Sequence, residues 1–89
     1  MIEVVVKVIN QAGIHTRPAA NIVKAAAKFK SEIFLARDGY SVNAKSIMGV
    51  MMLAAAKGSF VTLEASGTDE KDAIDALTAL IADYFGEGE

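Results

Sequence analysis

EIFLARDGYSVNA, residues 32–44, predicts two strands joined by a tight turn. Asp38-Gly39 is a dipeptide typical of two-residue hairpin turns. We therefore place one strand at about Glu32 to Arg37 and an antiparallel strand at Tyr40 to Ala44. The hairpin thus supplies two neighbouring antiparallel strands to the fold.

The segments before and after this hairpin predict two further strands. Residues 2–9 alternate between apolar and mostly polar side chains, which is the periodicity of a strand. Residues 59–66 show the same alternation, with three apolar side chains on one face. The apolar positions are Ile2, Val4, Val6 and Val8 in the first segment, and Val61, Leu63 and Ala65 in the second.

Helical spacing predicts three helices between and after these strands. The first runs to about Lys30, the second is a short helix that follows Ser46 and stops near Lys57-Gly58, and the third opens at Gly67-Thr68-Asp69. We interpret Asp69, Glu70 and Asp72 as charges that favour the first turn of the last helix. The predicted apolar stripes are Ala19, Ile22, Val23, Ala26 and Phe29 in the first helix, and Ile74, Leu77, Leu80, Ile81 and Tyr84 in the last.

The resulting order, β-α-β-β-α-β-α, predicts an α+β fold. In this class, helices cover one face of a mostly antiparallel sheet. With 89 residues the chain is long enough for one small domain, which we place at residues 1–89. Connection rules alone leave more than one strand order open.

Composition narrows the class of protein. The chain is 53% hydrophobic and 22% charged, which indicates a folded globule. It has no cysteine and one histidine, so we expect no metal site, and we expect no cofactor. The start of the sequence lacks a basic signal-peptide region, and the longest apolar stretch, residues 47–56, is too short to span a bilayer. The net charge of −2 argues against nucleic acid as the main partner. We therefore expect a cytoplasmic protein without direct membrane insertion.

GIHTRPAA, residues 13–20, places the one histidine, His15, directly before a predicted helix. Pro18 suits a first helical turn, because its missing N–H would have no partner there. A helix N-terminus offers free N–H groups and a positive dipole end, which bind phosphate, and Arg17 adds a guanidinium. A lone histidine in this place is also typical of a helix cap or a solvated side chain. The combination favours a histidine that carries a phosphoryl group.

This segment and a second one, KSIMGVM at residues 45–51, resemble HPr, the family of histidine-containing phosphocarriers of the bacterial sugar phosphotransferase system. The resemblance covers essentially the whole chain. It implies strand order 1-4-2-3 in an open-faced β-sandwich. It also implies that the protein is a carrier rather than an enzyme. The carrier would accept phosphate on Nδ1 of His15 from phosphorylated enzyme I and pass it to sugar-specific transporter subunits. Arg17 and the helix start at Thr16, Pro18 and Ala19 would then stabilise the phosphoryl group.

Ser46 has two compatible interpretations. Serine is a favoured N-cap, and a short helix is predicted to begin there. The resemblance implies in addition a regulatory phosphorylation site, with HPr kinase/phosphorylase and a transcriptional regulator as further partners. It also implies that Ile47, Met48 and Met51 dock enzyme I and the transporter subunits. Gly49 either permits a close approach or weakens the helix, and the residues alone leave this open.

Alternative functions remain at this point. The chain could be a regulatory binding module, either a catabolite-repression corepressor or a nitrogen-branch phosphocarrier. Some relatives in the family serve regulation alone and lack the histidine, so the presence of His15 favours the carrier. An RNA-binding domain is disfavoured by the acidic balance and by the lack of an aromatic RNP-type strand. A relay protein of this size is most simply a monomer.

Overall fold

The computed structural model describes residues 1–9, 16–53 and 58–83. The elements follow the predicted order, β-α-β-β-α-β-α. Within these three ranges, every helix is too short or too polar to cross a membrane. The strands are β1 (Ile2–Lys7), β2 (Glu32–Arg37), β3 (Tyr40–Asn43) and β4 (Phe60–Ser66), and the helices are α1 (Thr16–Ala26), α2 (Ile47–Met52) and α3 (Glu70–Ala82).

The four strands form one antiparallel sheet in the order β1-β4-β2-β3, which confirms the strand order implied by the resemblance. The β2–β3 hairpin turns at Asp38 and Gly39, whose φ angles are 50° and 83°. Both central residues therefore have the positive φ that a type I′ hairpin turn requires. Arg37 of β2 and Tyr40 of β3 are cross-strand partners at the base of the turn, so the predicted hairpin is confirmed.

The core lies between one face of the sheet and the helices. The two central strands, β2 and β4, each alternate between buried and more exposed side chains, as expected for a sheet with one covered face. The open-faced sandwich is thus confirmed. The buried side chains of this core include Ile33, Leu35, Val61, Leu63 and Ala65 from the sheet, Ala19, Ile22 and Ala26 from α1, Val50 from α2, and Ala73, Ile74, Leu77 and Ile81 from α3.

The strand ends differ from the prediction by one or two residues. β1 ends at Lys7 rather than at Ile9, although Val8 still exchanges hydrogen bonds with Ser59 and Gly58, both at 2.8 Å. β3 ends one residue early, yet the N–H of Ala44 still donates to Ile33 O at 2.9 Å. The hydrogen-bonded ladder therefore continues past the ends of the regular strands.

α1 ends at Ala26, four residues before the predicted end at Lys30. The chain tightens there, because Lys28 and Phe29 donate to the carbonyls three residues earlier, at 3.2 and 3.1 Å. The N–H of Lys30 then turns away from the helix and donates to Asp69 Oδ2 at 2.8 Å. The apolar spacing of the sequence continues to Phe29, but the hydrogen bonding of the helix does not. α2 ends at Met52, with Leu53 as its C-cap, so the predicted end near Lys57-Gly58 was several residues too late. The predicted contribution of Tyr84 to the last helix lies outside the described residues.

Asp69 connects the start of α3 to the start of β2. It occupies the N-cap position of α3, but its side chain makes no cap hydrogen bond. Its carboxylate instead accepts from the N–H groups of Lys30 and Ser31, at 2.8 and 2.9 Å, and from the hydroxyl of Ser31. The charge of Asp69 therefore lies at the start of α3, as predicted, although its hydrogen bonds go to the chain before β2. Glu70 and Asp72 lie in the first turn, as predicted, and Glu70 Oε1 accepts from Gly67 N–H, just before the helix, at 3.1 Å.

These hydrogen bonds predict a loss of stability in acid. The Ser31 hydroxyl, followed by the Lys30 N–H, lowers the pKa of Asp69 from about 3.8 to about 2. Since the folded-state pKa is below the unfolded one, the stabilisation is complete above pH ~5 and is lost as the pH falls through 4 toward 2. We expect urea unfolding to show Asp69→Asn less stable than the wild type at pH 7, with the difference shrinking toward pH 2. A difference that stays constant across this range would contradict the assignment.

Candidate functional site

The start of α1 forms one part of the candidate site. His15 lies outside the described residues, which resume at Thr16, the first residue of α1. Thr16 is therefore the first helical residue, at the predicted start of the helix. The N–H groups of the first turn have no carbonyl partner within the helix, so this end of α1 can bind an anion.

Packing fixes the direction of this helix end. Pro18 and Ala19 are buried, whereas Arg17 and Ala20 are exposed. The buried pair anchors the first turn in the core, and Pro18 fits there because it has no N–H to satisfy. The guanidinium-bearing side chain of Arg17 is thereby held at the surface, one residue after the first helical position. An exposed guanidinium beside a helix N-terminus suits a phosphoryl group.

Ser46 forms the N-cap of α2, as predicted. Its Oγ accepts from the N–H of Gly49 at 3.1 Å, and its carbonyl accepts from the N–H of Val50 at 3.0 Å. The side chain of Ser46 is exposed. The capping interpretation of the sequence therefore holds, and the hydroxyl is at the protein surface.

Gly49 allows α2 to pack closely on its surroundings. A Cβ at this position would lie 3.3 Å from Ser46 Oγ and 3.4 Å from Val42 Cβ on β3. The first separation is slightly tighter than an ordinary van der Waals contact, and the second is at the short limit of one. A side chain at this position would therefore fit closely against the N-cap serine and β3, which is compatible with the close-approach interpretation.

The apolar side chains of α2 divide between core and solvent. Val50 is fully buried, and Leu53, which follows the helix, is 4% exposed. Four others form what we call the α2 surface, with exposed fractions of 41% for Ile47, 71% for Met48, 41% for Met51 and 73% for Met52. A cluster of exposed methionines is typical of surfaces that bind several partners.

Met52 is the residue of the α2 surface that sequence reasoning left out of the docking set. It is four residues after Met48, so helical geometry places the two on the same face. That spacing could have identified it. The other three residues, Ile47, Met48 and Met51, are exposed as a docking role requires.

The two helices of the candidate site contact each other. A side-chain hydrogen bond also joins the segment before α2 to the turn that follows α1: Lys45 Nζ donates to the carbonyl of Phe29 at 2.7 Å. The backbone N–H of Lys45 donates to Asn43 Oδ1 at 2.8 Å, which fixes the chain just before Ser46. The position of α2 relative to α1 is thus set by backbone groups as well as by apolar packing. Across the described ranges, we find no cluster of three or more His, Asp or Glu side chains arranged to hold a metal ion.

Comparison with known proteins agrees with this arrangement. The family model described as "PTS HPr component phosphorylation site" matches residues 2–83, which include the segment around His15 and the whole of α2. This chain belongs to the HPr family. The family comprises phosphocarriers of the phosphotransferase system, and the prediction from residues 13–19 and 45–51 is confirmed at that level.

Individual HPr and HPr-like proteins are similar to this chain over most of their length. The phosphocarrier protein HPr of Cupriavidus necator is 56% identical over 82 residues, which cover 92% of each chain. The HPr-like protein Crh of Halalkalibacterium halodurans is 51% identical over 81 residues, covering 91% of this chain and 96% of Crh.

Solved HPr structures have the same fold. A crystal structure of HPr-C-His from Thermoanaerobacter tengcongensis superposes with a TM-score of 0.94 at 49% identity, covering 98% of both chains. A structure of an HPr dimer from the same organism gives a TM-score of 0.78 at 49% identity, covering 98% of this chain and 100% of that one. The expected monomeric state therefore remains a prediction for this HPr-family chain.

Proposed function

We propose that this HPr-family chain is a phosphoryl carrier, a single domain over residues 1–89, that accepts phosphate on His15 from phosphorylated enzyme I. It then passes the phosphate to sugar-specific transporter subunits. The observation that supports this most directly is the position of His15, immediately before the first residue of α1, with Arg17 exposed two residues further on. The role implies a cytoplasmic protein that acts as a monomer. Sedimentation of the purified chain can test the monomeric state.

The residues around His15 are suited to such a transfer. An ordinary imidazole is largely neutral near pH 7, which leaves a ring nitrogen free to attack the phosphorus of the donor. A new N–P bond forms as the donor's bond to phosphorus breaks, and the donor keeps that electron pair. Phosphoryl transfer depends mainly on positioning and on stabilising negative charge, which the first-turn N–H groups and Arg17 can supply.

Labelling of the purified chain with phosphoenolpyruvate and enzyme I tests the proposal. We expect one acid-labile phosphate per chain, mapped to His15 under alkaline conditions that preserve phosphohistidine. Chase with a transporter subunit should then remove the label. A label on another residue, or none from an enzyme I that is active on a known carrier, would contradict the carrier role.

Ser46 is proposed as the regulatory site of the same surface. Its exposed hydroxyl lies at the start of α2, beside Ile47 and Met48 of the α2 surface. A phosphate there would add roughly −1.5 to −2 charge at pH 7 next to the docking residues. Since a helix N-terminus tolerates negative charge, the fold should remain intact while docking is weakened.

The substitution Ser46→Asp is therefore expected to slow phosphoryl transfer from enzyme I by about tenfold to 100-fold at low salt, through repulsion of the partner. Asp is itself a good N-cap, so the melting temperature should stay close to that of the wild type. Raising the salt concentration should restore part of the rate, because exposed charges are screened. Ser41→Asp, at an exposed position on β3, supplies a control with the same charge change. Equal rates for the two variants would exclude a specific role of Ser46.

A second candidate function is a regulatory module that acts through Ser46 alone. The similarity to an HPr-like protein Crh and the exposed serine favour it. The labelling experiment separates the two, because a module that acts through Ser46 alone acquires no label from enzyme I. Incubation with an HPr kinase/phosphorylase and ATP would then be the assay, with Ser46→Ala as its control.

A further inference from the structure

The face of the sheet opposite the helices carries a distinct set of side chains, which we call the open face. It contains exposed apolar groups, since Val5 is 63% and Phe60 is 62% exposed. It also contains carboxylates from three different strands. The open face consists of Glu3, Val5 and Lys7 of β1, Phe60, Thr62, Glu64 and Ser66 of β4, Glu32, Phe34 and Ala36 of β2, and Ser41 and Asn43 of β3.

Three carboxylates of the open face are neighbours in the strand register. Glu3 and Glu64 are direct cross-strand partners, so their side chains are neighbours on the same face. Glu32 is diagonal to Glu64, because Glu64 pairs with Phe34 two residues further along β2. Among the described residues, none of the three carboxylates takes part in an ion pair. Like charges at directly opposed positions destabilise a sheet, so we expect a bound cation to be favourable here.

A depression of about 230 Å³ lies at this acidic end of the open face. Its lining includes the aromatic ring of Phe34 and two of the carboxylates, those of Glu32 and Glu64. The ammonium of Met1, at the edge of the depression, pairs with Glu70 Oε2 at 3.1 Å. The lining residues are Met1, Glu32, Phe34, Glu64, Ala65 and Ser66.

We propose that the open face binds a basic segment of a partner protein, with an arginine side chain seated between Glu32 and Glu64 on the ring of Phe34. A guanidinium matches this lining because it donates to two carboxylates in its plane while its face stacks on an aromatic ring. The open face already shows a related contact, since Lys7 Nζ lies 6.0 Å from the centroid of the Phe60 ring. The exposed Val5 and Phe60 extend the surface beyond the depression, which favours a protein segment over a free small cation.

This surface is independent of the proposed phosphoryl relay. The helices lie on the opposite side of the sheet, so a partner on the open face leaves the α2 surface accessible. A protein bound there could therefore respond to the chain, or hold it in place, while phosphoryl transfer continues.

NMR titration of the isotope-labelled chain with the peptide Ac-GRGRG-amide tests the proposal. We expect saturable shifts centred on the amides of Glu32, Phe34 and Glu64, and about tenfold weaker binding by the double variant Glu32→Gln/Glu64→Gln. The matched control is Asp72→Asn/Asp75→Asn, which removes two exposed carboxylates from α3 and should leave the affinity within about twofold. The Gln variant should also unfold at a higher denaturant concentration, since it removes the repulsion with Glu3.

Four results would overturn the proposal. The first is an absence of saturable shifts on the open face, and the second is equal weakening by both double variants, which would mean attraction to net charge alone. The third is equal affinity for Ac-GKGKG-amide, which would exclude guanidinium recognition. Phosphoryl acceptance from enzyme I, measured with the arginine peptide present, should be unchanged, and a loss of acceptance would place the peptide on the helical side instead.

Discussion

The substitution His15→Ala is expected to abolish incorporation of acid-labile phosphate from phosphoenolpyruvate and enzyme I. His15 is the one histidine of the sequence, so the variant has no imidazole to form an N–P bond. We expect its far-ultraviolet circular dichroism and its melting temperature to remain close to those of the wild type. Addition of wild-type chain to the same reaction should restore the label, which shows that enzyme I is active. Residual label on the variant at the wild-type level would refute the assignment of His15.

Variants of Arg17 separate charge stabilisation from the identity of the acceptor. Arg17→Ala should keep His15 as the acceptor but reduce the transfer rate by about 100-fold, the usual cost of removing one group that stabilises charge in a transition state. Arg17→Lys should recover part of the rate, because an ammonium supplies the charge without the planar pair of donors. Lys71→Ala removes one positive charge from an exposed position on α3 and is the matched control. Rapid-quench kinetics measure all three, and equal rates for Arg17→Ala and Lys71→Ala would exclude phosphate binding by Arg17.

The sheet was the most predictable part of the fold, because its signals are local. Asp38-Gly39 specified the turn through the positive φ that both residues adopt. The alternation of Val61, Leu63 and Ala65 identified the buried face of β4. The strand order is a long-range property that local periodicity does not contain. It came from the family resemblance, and the pairing of β4 with both β1 and β2 confirms it.

The end of α1 was less predictable, since it depends on a residue far away in the sequence. Asp69 accepts hydrogen bonds from Lys30 and Ser31, 39 and 38 residues earlier. These bonds draw the two N–H groups out of a helical path and lead the chain into β2. The apolar spacing of the sequence indicates only that Phe29 lies on the apolar face, so the predicted helix end at Lys30 was too late.

The candidate site was predictable in its chemistry and less so in its exposure. The sequence motif identified His15, Arg17 and Ser46 from residue types, and their functional roles stay predictions. Which methionines of α2 face solvent depends on where Val50 enters the core, a tertiary contact. The structure shows Val50 buried and Met52 exposed, which adds Met52 to the surface around the docking residues.

Among the glycines that the structure describes, Gly67 is expected to be the one at which an added methyl group destabilises the fold most. Its φ is 154°, outside the range that L-residues usually adopt. A Cβ there would lie 2.6 Å from Ser31 Oγ and 2.7 Å from Ser31 Cα. Ser31 is 1% exposed and is held by the carboxylate of Asp69, so it has little room to move. We therefore expect Gly67→Ala to lower the free energy of unfolding by roughly 2–4 kcal/mol, from backbone strain and overpacking together.

Gly39→Ala is the matched control for this prediction. Gly39 also has a positive φ, 83°, but a Cβ there would meet nothing within 4 Å. Gly39→Ala should therefore lower the free energy of unfolding, measured in urea, by only about 1 kcal/mol, from backbone strain alone. Adding Ser31→Ala to Gly67→Ala should not restore stability, because the contact with Ser31 Cα involves the backbone and remains. If Gly67→Ala cost no more than Gly39→Ala, the junction of β4 and α3 would be able to shift away from Ser31, and the packing of Gly67 against it would not limit stability.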